Sequence, residues 1–268
     1  MSKILKGVGG ERAFKLATIS ALVLLSVFFI GIIVSMLTYT DWNTFISALL
    51  SKEILFAIRL SLITATIATI IAILIAIPVA YAISQTRFPG KDIVDSLLDL
   101  PIVISPIALG AALLVFFNTP VGAAINDNVK FVFAVPGIVL AQVVVISALA
   151  IRLLKSTFDS IDPRYEQVGR TLGYSKPAAF LKVTLPLAKR GLIAACILTW
   201  ARAVGEFGAT VTLAGATAMK TETLPIAIFL SLSSADIEKA VALIFVLIII
   251  AVVALLIMRK ITGRRYQI

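Results

Sequence analysis

The sequence predicts an all-α integral membrane protein with six transmembrane helices. Of its 268 residues, 60% are hydrophobic and only 14% are charged, and the mean hydropathy is +1.08. A soluble domain, in which about a quarter of the residues are charged, could not bury so much apolar surface. Apolar runs that reach the roughly 20 residues needed to cross a bilayer recur along the chain.

Six apolar segments are long enough to be spans. The first lacks a small-residue cleavage site after it, which favours a retained helix over a signal peptide. A shorter apolar piece, 224–232, is too short to cross as a helix and is predicted to be re-entrant or interfacial. The six segments cover about 14–38, 54–83 (interrupted near its end by Pro78), 97–117, 131–151, 191–213 and 240–258.

Lysine and arginine placement predicts the orientation. With a cytoplasmic amino terminus, 18 of the 24 basic residues fall in inner segments and four in outer loops, as the positive-inside rule requires. We therefore expect a multi-pass protein of the cell membrane with both termini facing the cytoplasm. The net charge of +10 then needs no nucleic-acid partner, because the basic residues meet anionic lipid headgroups. The chain divides into a tail, first span and outer loop (1–53), a membrane core (54–258) and a basic tail (259–268).

Cysteine and histidine usage excludes several chemistries. Cys196 is the only cysteine, it lies in an apolar segment where packing is its expected role, and histidine is absent. An internal disulfide, a thiolate cluster, His-ligated zinc and an imidazole-based triad are therefore excluded. Acidic residues are scattered among loops without metal-ligand spacing, which disfavours a membrane enzyme, and we expect no cofactor bound by this chain.

One long polar segment, 152–190, separates the fourth and fifth spans. Either of two aspartates just upstream can cap a helix that begins at Pro163. Gly173 predicts its end, because glycine adopts the left-handed conformation that closes a helix, and Pro177 marks a second start. The segment therefore predicts two short cytoplasmic helices joined by a glycine corner. A solvated basic loop is the simpler alternative.

The polar segment resembles the cytoplasmic signature of ATP-binding cassette (ABC) importer permeases. That signature reads EAA, three residues, Gly, nine residues, Ile, any residue, Leu-Pro, and its spacing is matched throughout. The first position departs from it, because Gln167 replaces the acidic residue and Glu166 lies one place earlier. The matching positions are Gln167, Val168 and Gly169 for EAA, Gly173 for glycine, Val183 for isoleucine, and Leu185 and Pro186 for the final pair.

This resemblance implies a type I ABC importer permease fold whose cytoplasmic loop forms a coupling helix. It implies a homodimer of this chain, two ATP-binding subunits that use ATP and magnesium, and an extracytoplasmic oxyanion-binding protein. The chain has no Walker A loop of its own, so the ATPase must be a separate polypeptide. A gradient-driven transporter would not explain the signature.

Two further stretches are similar to permeases for molybdate, tungstate and sulfate, especially the molybdate branch. They are WARAVGEFGATVTLAG, 200–215, and FPGKDIVDSLLDLPIVISPIALG, 88–110. The similarity implies that molybdate or tungstate is the cargo. Sulfate or thiosulfate is the alternative, since these dianions have similar shapes.

The first of these stretches contains an ion pair within a span. Arg202 and Glu206 are four residues apart, so they lie on one helix face and can pair, which lowers the cost of two ions in the membrane. Gly205 and Gly208 allow close approach of another backbone. We interpret the pair as facing the bundle interior or the dimer interface, with helix packing as the alternative role.

Prolines and hydroxyls complete the candidate pathway or gate. Pro101 and Pro106 leave carbonyls without donors, which is tolerated only beside protein or a water-filled cavity. They favour a pathway-lining broken helix over a simple kink. Ser105, Thr210 and Thr212 are candidate hydroxyl donors to an oxyanion, although such hydroxyls often bond their own backbone.

Overall fold

The computed structural model describes residues 2–36, 38, 42–86 and 88–262, and within those ranges every regular element is a helix. Parts of the predicted N-terminal unit and basic tail, 1, 37, 39–41 and 263–268, lie outside the described residues. The helices are α1 (Ser2–Met36), α2 (Trp42–Leu49), α3 (Lys52–Gln85), α4 (Lys91–Val103), α5 (Pro106–Phe117), α6 (Pro120–Asn128), α7 (Val135–Asp159), α8 (Arg164–Thr171), α9 (Lys176–Ala179), α10 (Leu185–Leu187), α11 (Lys189–Val204), α12 (Gly208–Ala214), α13 (Leu224–Ser233) and α14 (Ile237–Thr262). A π-helical turn, Phe180–Thr184, precedes α10.

Four of the described helices are long and apolar enough to cross a membrane alone, namely α1, α3, α7 and α14. They correspond to the predicted first, second, fourth and sixth spans. Pro78, expected to interrupt the second span, lies inside α3, which continues to Gln85. The short piece before the sixth span is α13, a helix of 10 residues.

The predicted third span is broken, and the break lies immediately before Pro106. The chain bends by 109° between α4 and α5. Ser105 is extended, as a residue before proline prefers, and its hydroxyl accepts a hydrogen bond from the Ala108 amide at 3.3 Å. The predicted break is therefore confirmed at Pro106, whereas its pathway-lining role stays a prediction. Pro101 does not break the chain, because it lies within α4.

The predicted fifth span is also broken, which contradicts the expectation of one continuous helix. Helix α11 ends at Val204, α12 begins at Gly208, and the two are bent by 56°. The Glu206 carboxylate accepts a hydrogen bond from the Ala209 amide at 3.0 Å, so it satisfies an amide that the new helix start leaves unpaired. The carboxylate thereby stabilises the break.

Packing in the core depends on an alanine face of α3. This face contacts α7, and the two helices share the most extensive interface in the described chain. Alanines spaced three or four residues apart bring helix backbones close together in a membrane. The fully buried alanines of this face are Ala65, Ala68, Ala72, Ala76 and Ala80.

The apolar part of α1 is not covered by the rest of the described chain. Its 24-residue stretch, Ala13–Met36, has no buried residue in its most hydrophobic window. A helix that is apolar and exposed in this way needs lipid or another membrane helix around it.

Candidate coupling and translocation site

The predicted glycine corner is present between α8 and α9. The Tyr174 amide donates to the Gly169 carbonyl at 3.2 Å, and the Gly173 amide donates to the Arg170 carbonyl at 3.0 Å. Gly173 has a φ of +93°. These are the two bonds of a Schellman motif, with glycine at its left-handed position. The two predicted short helices and the glycine corner between them are therefore confirmed, and we call residues 162–187 the knob.

Two positions of the importer signature, Gly169 and Val183, pack against each other inside the knob. Gly169 is buried, and a Cβ atom built there would lie 3.2 Å from Cγ2 of Val183 and 3.5 Å from Cδ2 of Tyr174. Val183 lies in the π-helical turn, which ends at Thr184, immediately before Leu185 and Pro186. A small residue is thus required at position 169 because α8 approaches the π-helical turn closely.

The solvent-exposed face of α8 is apolar. Tyr165, Val168 and Leu172 are 59%, 58% and 76% exposed, and their spacing places them along one side of the helix and its end. Gln167, at the first position of the signature, is exposed as well. An exposed apolar face on a polar segment is typical of a surface that binds another protein.

Glu166 is oriented toward the membrane helices. Its carboxylate oxygens accept hydrogen bonds from the Tyr81 hydroxyl at 2.8 and 2.9 Å, and Oε2 also accepts one from the Thr184 hydroxyl at 3.0 Å. Tyr81 belongs to α3, 85 residues earlier in the chain. Sequence reasoning missed Tyr81 because no local pattern links the two positions.

The second halves of the two broken spans cross at glycines. A Cβ at Gly110 of α5 would lie 2.8 Å from Cβ of Thr212 and 2.9 Å from Cα of Ala209, whereas one at Gly208 of α12 would lie 3.0 Å from atoms of α5. The close-approach prediction is thus confirmed for Gly208. For Gly205 the described residues provide no such neighbour, since a Cβ there would meet carbonyl oxygens of its own helix at 3.8 Å or more, and close approach by a second copy stays a prediction.

Arg202 and Glu206 form the predicted ion pair. Arg202 Nη1 lies 2.7 Å from Glu206 Oε2, and the glutamate side chain is 1% exposed against 40% for the arginine. The pair spans the break between α11 and α12 and does not lie on one continuous helix face as expected. Gln142 of α7, a buried residue that the sequence did not indicate, donates to the Ala203 carbonyl at 3.0 Å beside this break.

The three candidate hydroxyls differ in what they contact. Ser105 caps α5, and the Thr212 hydroxyl donates to the Gly208 carbonyl at 2.7 Å. The Thr210 hydroxyl is fully buried and has no hydrogen-bond partner among the described residues. Of the three, Thr210 retains an unused donor next to the crossing of α5 and α12.

An ionic cluster that the sequence analysis did not identify fastens α4 to α7. Arg152 Nη1 lies 2.7 Å from Asp95 Oδ1, and its Nη2 donates to the Asp95 carbonyl at 2.8 Å. Its Nε also contacts Asp99. The cluster holds α4, the first half of the broken third span, against α7, the helix that leads into the knob. Within the described ranges, no three acidic, cysteine or histidine side chains gather where a metal ion could bind.

Known proteins resemble this chain over most of its length. The model of the family described as binding-protein-dependent transport system inner membrane component matches residues 72–265. A probable molybdenum ABC transporter permease of Haloferax volcanii is 37% identical over 77% of this chain and 75% of its own length. The sulfate transport system permease CysW of Synechococcus elongatus is 31% identical over 84% of this chain and 82% of its own.

The fold is shared with a solved transporter chain. In a bacterial alginate ABC transporter bound to its alginate-loaded periplasmic protein, one chain superposes with a TM-score of 0.75, at 17% identity and over 96% of this chain and 98% of that one. The family implies separate ATP-binding subunits and an external binding protein as partners. This chain therefore belongs to the inner membrane components of binding-protein-dependent transport systems, as a multi-pass permease subunit of an ABC importer.

Proposed function

We propose that two copies of this chain form the translocation pathway of a molybdate or tungstate importer, driven by two ATP-binding subunits. The observation that carries the transport mechanism is the knob, which closes with a Schellman motif and exposes the apolar face of Tyr165, Val168 and Leu172. This face would dock on the ATP-binding subunit. The distribution of basic residues favours cytoplasmic termini, which would put the knob on the side of the membrane where ATP is available.

The proposal of two copies is supported by apolar surface that one chain leaves uncovered. The most hydrophobic window of α1 contains no buried residue, and Val103 and Ile107, on either side of the break between α4 and α5, are largely exposed. Four long helices and two bent pairs are few elements with which to enclose a pathway. A second copy would place the broken spans of the two chains around a shared route.

The broken spans favour a route that releases its cargo. Backbone that is not helical is tolerated at membrane depth only where it is buried in protein or lines a cavity. The charge of Arg202 is neutralised by Glu206, so this pair does not offer a dianion a strong positive site. Affinity would then come from the external binding protein, which suits a permeation pathway.

Molybdate is favoured over sulfate by the similarity to the Haloferax permease, and the Synechococcus permease keeps sulfate as the second candidate. In proteoliposomes with the partner ATP-binding subunit and binding protein, we expect ATP-dependent molybdate uptake that excess sulfate does not reduce. Preferential sulfate uptake would establish the second candidate. Uptake that follows an ion gradient without ATP would contradict an importer of this class.

Gly173→Val tests the docking role of the knob. Valine at a φ of +93° is strained by about 1–2 kcal/mol, which should open the corner between α8 and α9. No neighbour lies within 4 Å of the Cβ position, so strain and not a clash is responsible. We expect normal membrane insertion but reduced co-purification of the ATP-binding subunit. Gly90→Val, which also places valine at a positive φ (+79°) with nothing within 4 Å but lies outside the knob, is the control; wild-type co-purification and uptake in Gly173→Val would refute docking.

A further inference from the structure

We propose that the hydrogen bond between Tyr81 and Glu166 transmits movement of the knob to helix α3. The link rests on the proposed function, since it acts only if an ATP-binding subunit moves the knob. It assigns Tyr81 a positioning role in transport that the signature of the loop does not include.

Glu166, one of the two acidic residues in the knob, forms its hydrogen bonds within the protein. Both carboxylate oxygens of Glu166 lie within 2.9 Å of the Tyr81 hydroxyl, and the buried Thr184 hydroxyl donates to Oε2. A partly buried carboxylate needs such donors, because leaving it without them costs free energy. Glu166 therefore joins three parts of the chain: α8, the π-helical turn and α3. Gln167, at the first position of the signature, is left as the exposed side chain.

Aromatic packing places the Tyr81 hydroxyl accurately. The centroid of its ring lies 4.5 Å from the ring centroid of Phe180, at the start of the π-helical turn, and 5.9 Å from that of Phe158 in α7. Phe158 is fully buried. Ring contacts of this kind permit sliding, whereas a hydrogen bond to a carboxylate is short and directional. The hydroxyl is thus the group that fixes the position of the knob relative to α3.

Helix α3 can carry a movement of the knob across the membrane core because it runs from one end of the core to the other. Twenty residues before Tyr81, about 30 Å along the helix, the Ser61 hydroxyl accepts a hydrogen bond from the Leu224 amide at 2.7 Å, at the start of α13. Between these points the alanine face packs against α7. A shift of α3 caused at Tyr81 would therefore reach α13 through a continuous, tightly packed element, which is a physical route for coupling.

The test measures oxyanion molecules transported per ATP hydrolysed in proteoliposomes that contain the complete transporter. Tyr81→Phe removes the hydroxyl and retains the ring. A hydrogen bond to a charged group shifts an equilibrium by about tenfold or more, so we expect the transport ratio to fall by about tenfold. Co-purification of the ATP-binding subunit and its rate of ATP hydrolysis should stay near wild type. Glu166→Gln retains an acceptor oxygen and should recover part of the ratio that Glu166→Ala loses.

Ser84→Ala is the matched control. Ser84 lies one turn further along α3, and its hydroxyl donates to Asp159 of α7 at 2.6 Å, so the change removes a hydroxyl–carboxylate bond that does not involve the knob. The double variant Tyr81→Phe/Glu166→Ala should be no worse than Glu166→Ala, because Glu166→Ala already removes the bond that Tyr81 makes.

Three outcomes would overturn the link: an unchanged ratio in Tyr81→Phe, an equal loss in Ser84→Ala, or loss of the ATP-binding subunit from Tyr81→Phe. Wild-type protein that shows no ATP-driven uptake would overturn the proposed function itself, and the link with it. The failure of the link alone is therefore distinguishable from failure of the importer assignment.

Discussion

Replacing Arg202 with alanine is expected to destabilise the folded permease by about 3 kcal/mol. The substitution leaves the Glu206 carboxylate, which is 1% exposed, without its cation at the break of a membrane span. The lower part of the range for broken buried pairs applies because Arg202 is itself 40% exposed. Unfolding of purified protein in detergent, followed by circular dichroism, measures the loss. Assembly with the ATP-binding subunit should decline in parallel.

The double variant Arg202→Ala/Glu206→Gln isolates the unpaired charge as the cause. Glutamine retains an oxygen that can accept the hydrogen bond from the Ala209 amide, so the start of α12 stays capped while the charge is removed. We expect it to recover most of the lost stability. Equal destabilisation in the single and double variants would show that the ion pair is unimportant and that the arginine side chain acts through packing.

The knob was predictable because its signals are local. The proline at the start of α8, the glycine at the left-handed corner and the proline in the first turn of α9 each restrict the backbone at their own position. Exposed helices of a few residues have few tertiary contacts that could override such preferences. Long apolar spans are likewise decided by composition, which is why the four uninterrupted ones were located correctly.

The break in the fifth predicted span was not predictable from its sequence. Helix α11 ends at Val204 without a proline, and the bend is stabilised by the Glu206 carboxylate on the Ala209 amide and by Gln142 on the Ala203 carbonyl. Gln142 lies about 60 residues away in α7, so its contribution exists only after the helices pack. The arginine and glutamate at i and i+4 favoured a continuous helix, and the tertiary contacts overrode that preference.

Contacts between distant segments define most of the candidate site. Tyr81 with Glu166, and Arg152 with Asp95, join residues that no spacing rule connects. The glycine crossing of α5 and α12 is a partial exception. Gly208 was indicated by its place beside the ion pair, but its counterpart Gly110 was not, because a glycine in an apolar run has several equally good explanations.

Gly110→Val is expected to abolish transport and to destabilise the permease by about 3 kcal/mol, since overpacking a tight core forces backbones apart. The first added carbon alone would lie 2.8 Å from Cβ of Thr212 and 2.9 Å from the Ala209 carbonyl oxygen, and backbone cannot move aside as a flexible side chain can. Helix α12 would be pushed from α5, which displaces the halves of both broken spans. Gly205→Ala is the matched control, because its Cβ would meet nothing closer than 3.8 Å at an ordinary φ of −84°. Detergent unfolding and oxyanion uptake should both separate the two variants, whereas wild-type stability and uptake in Gly110→Val would show that α5 and α12 do not need to touch.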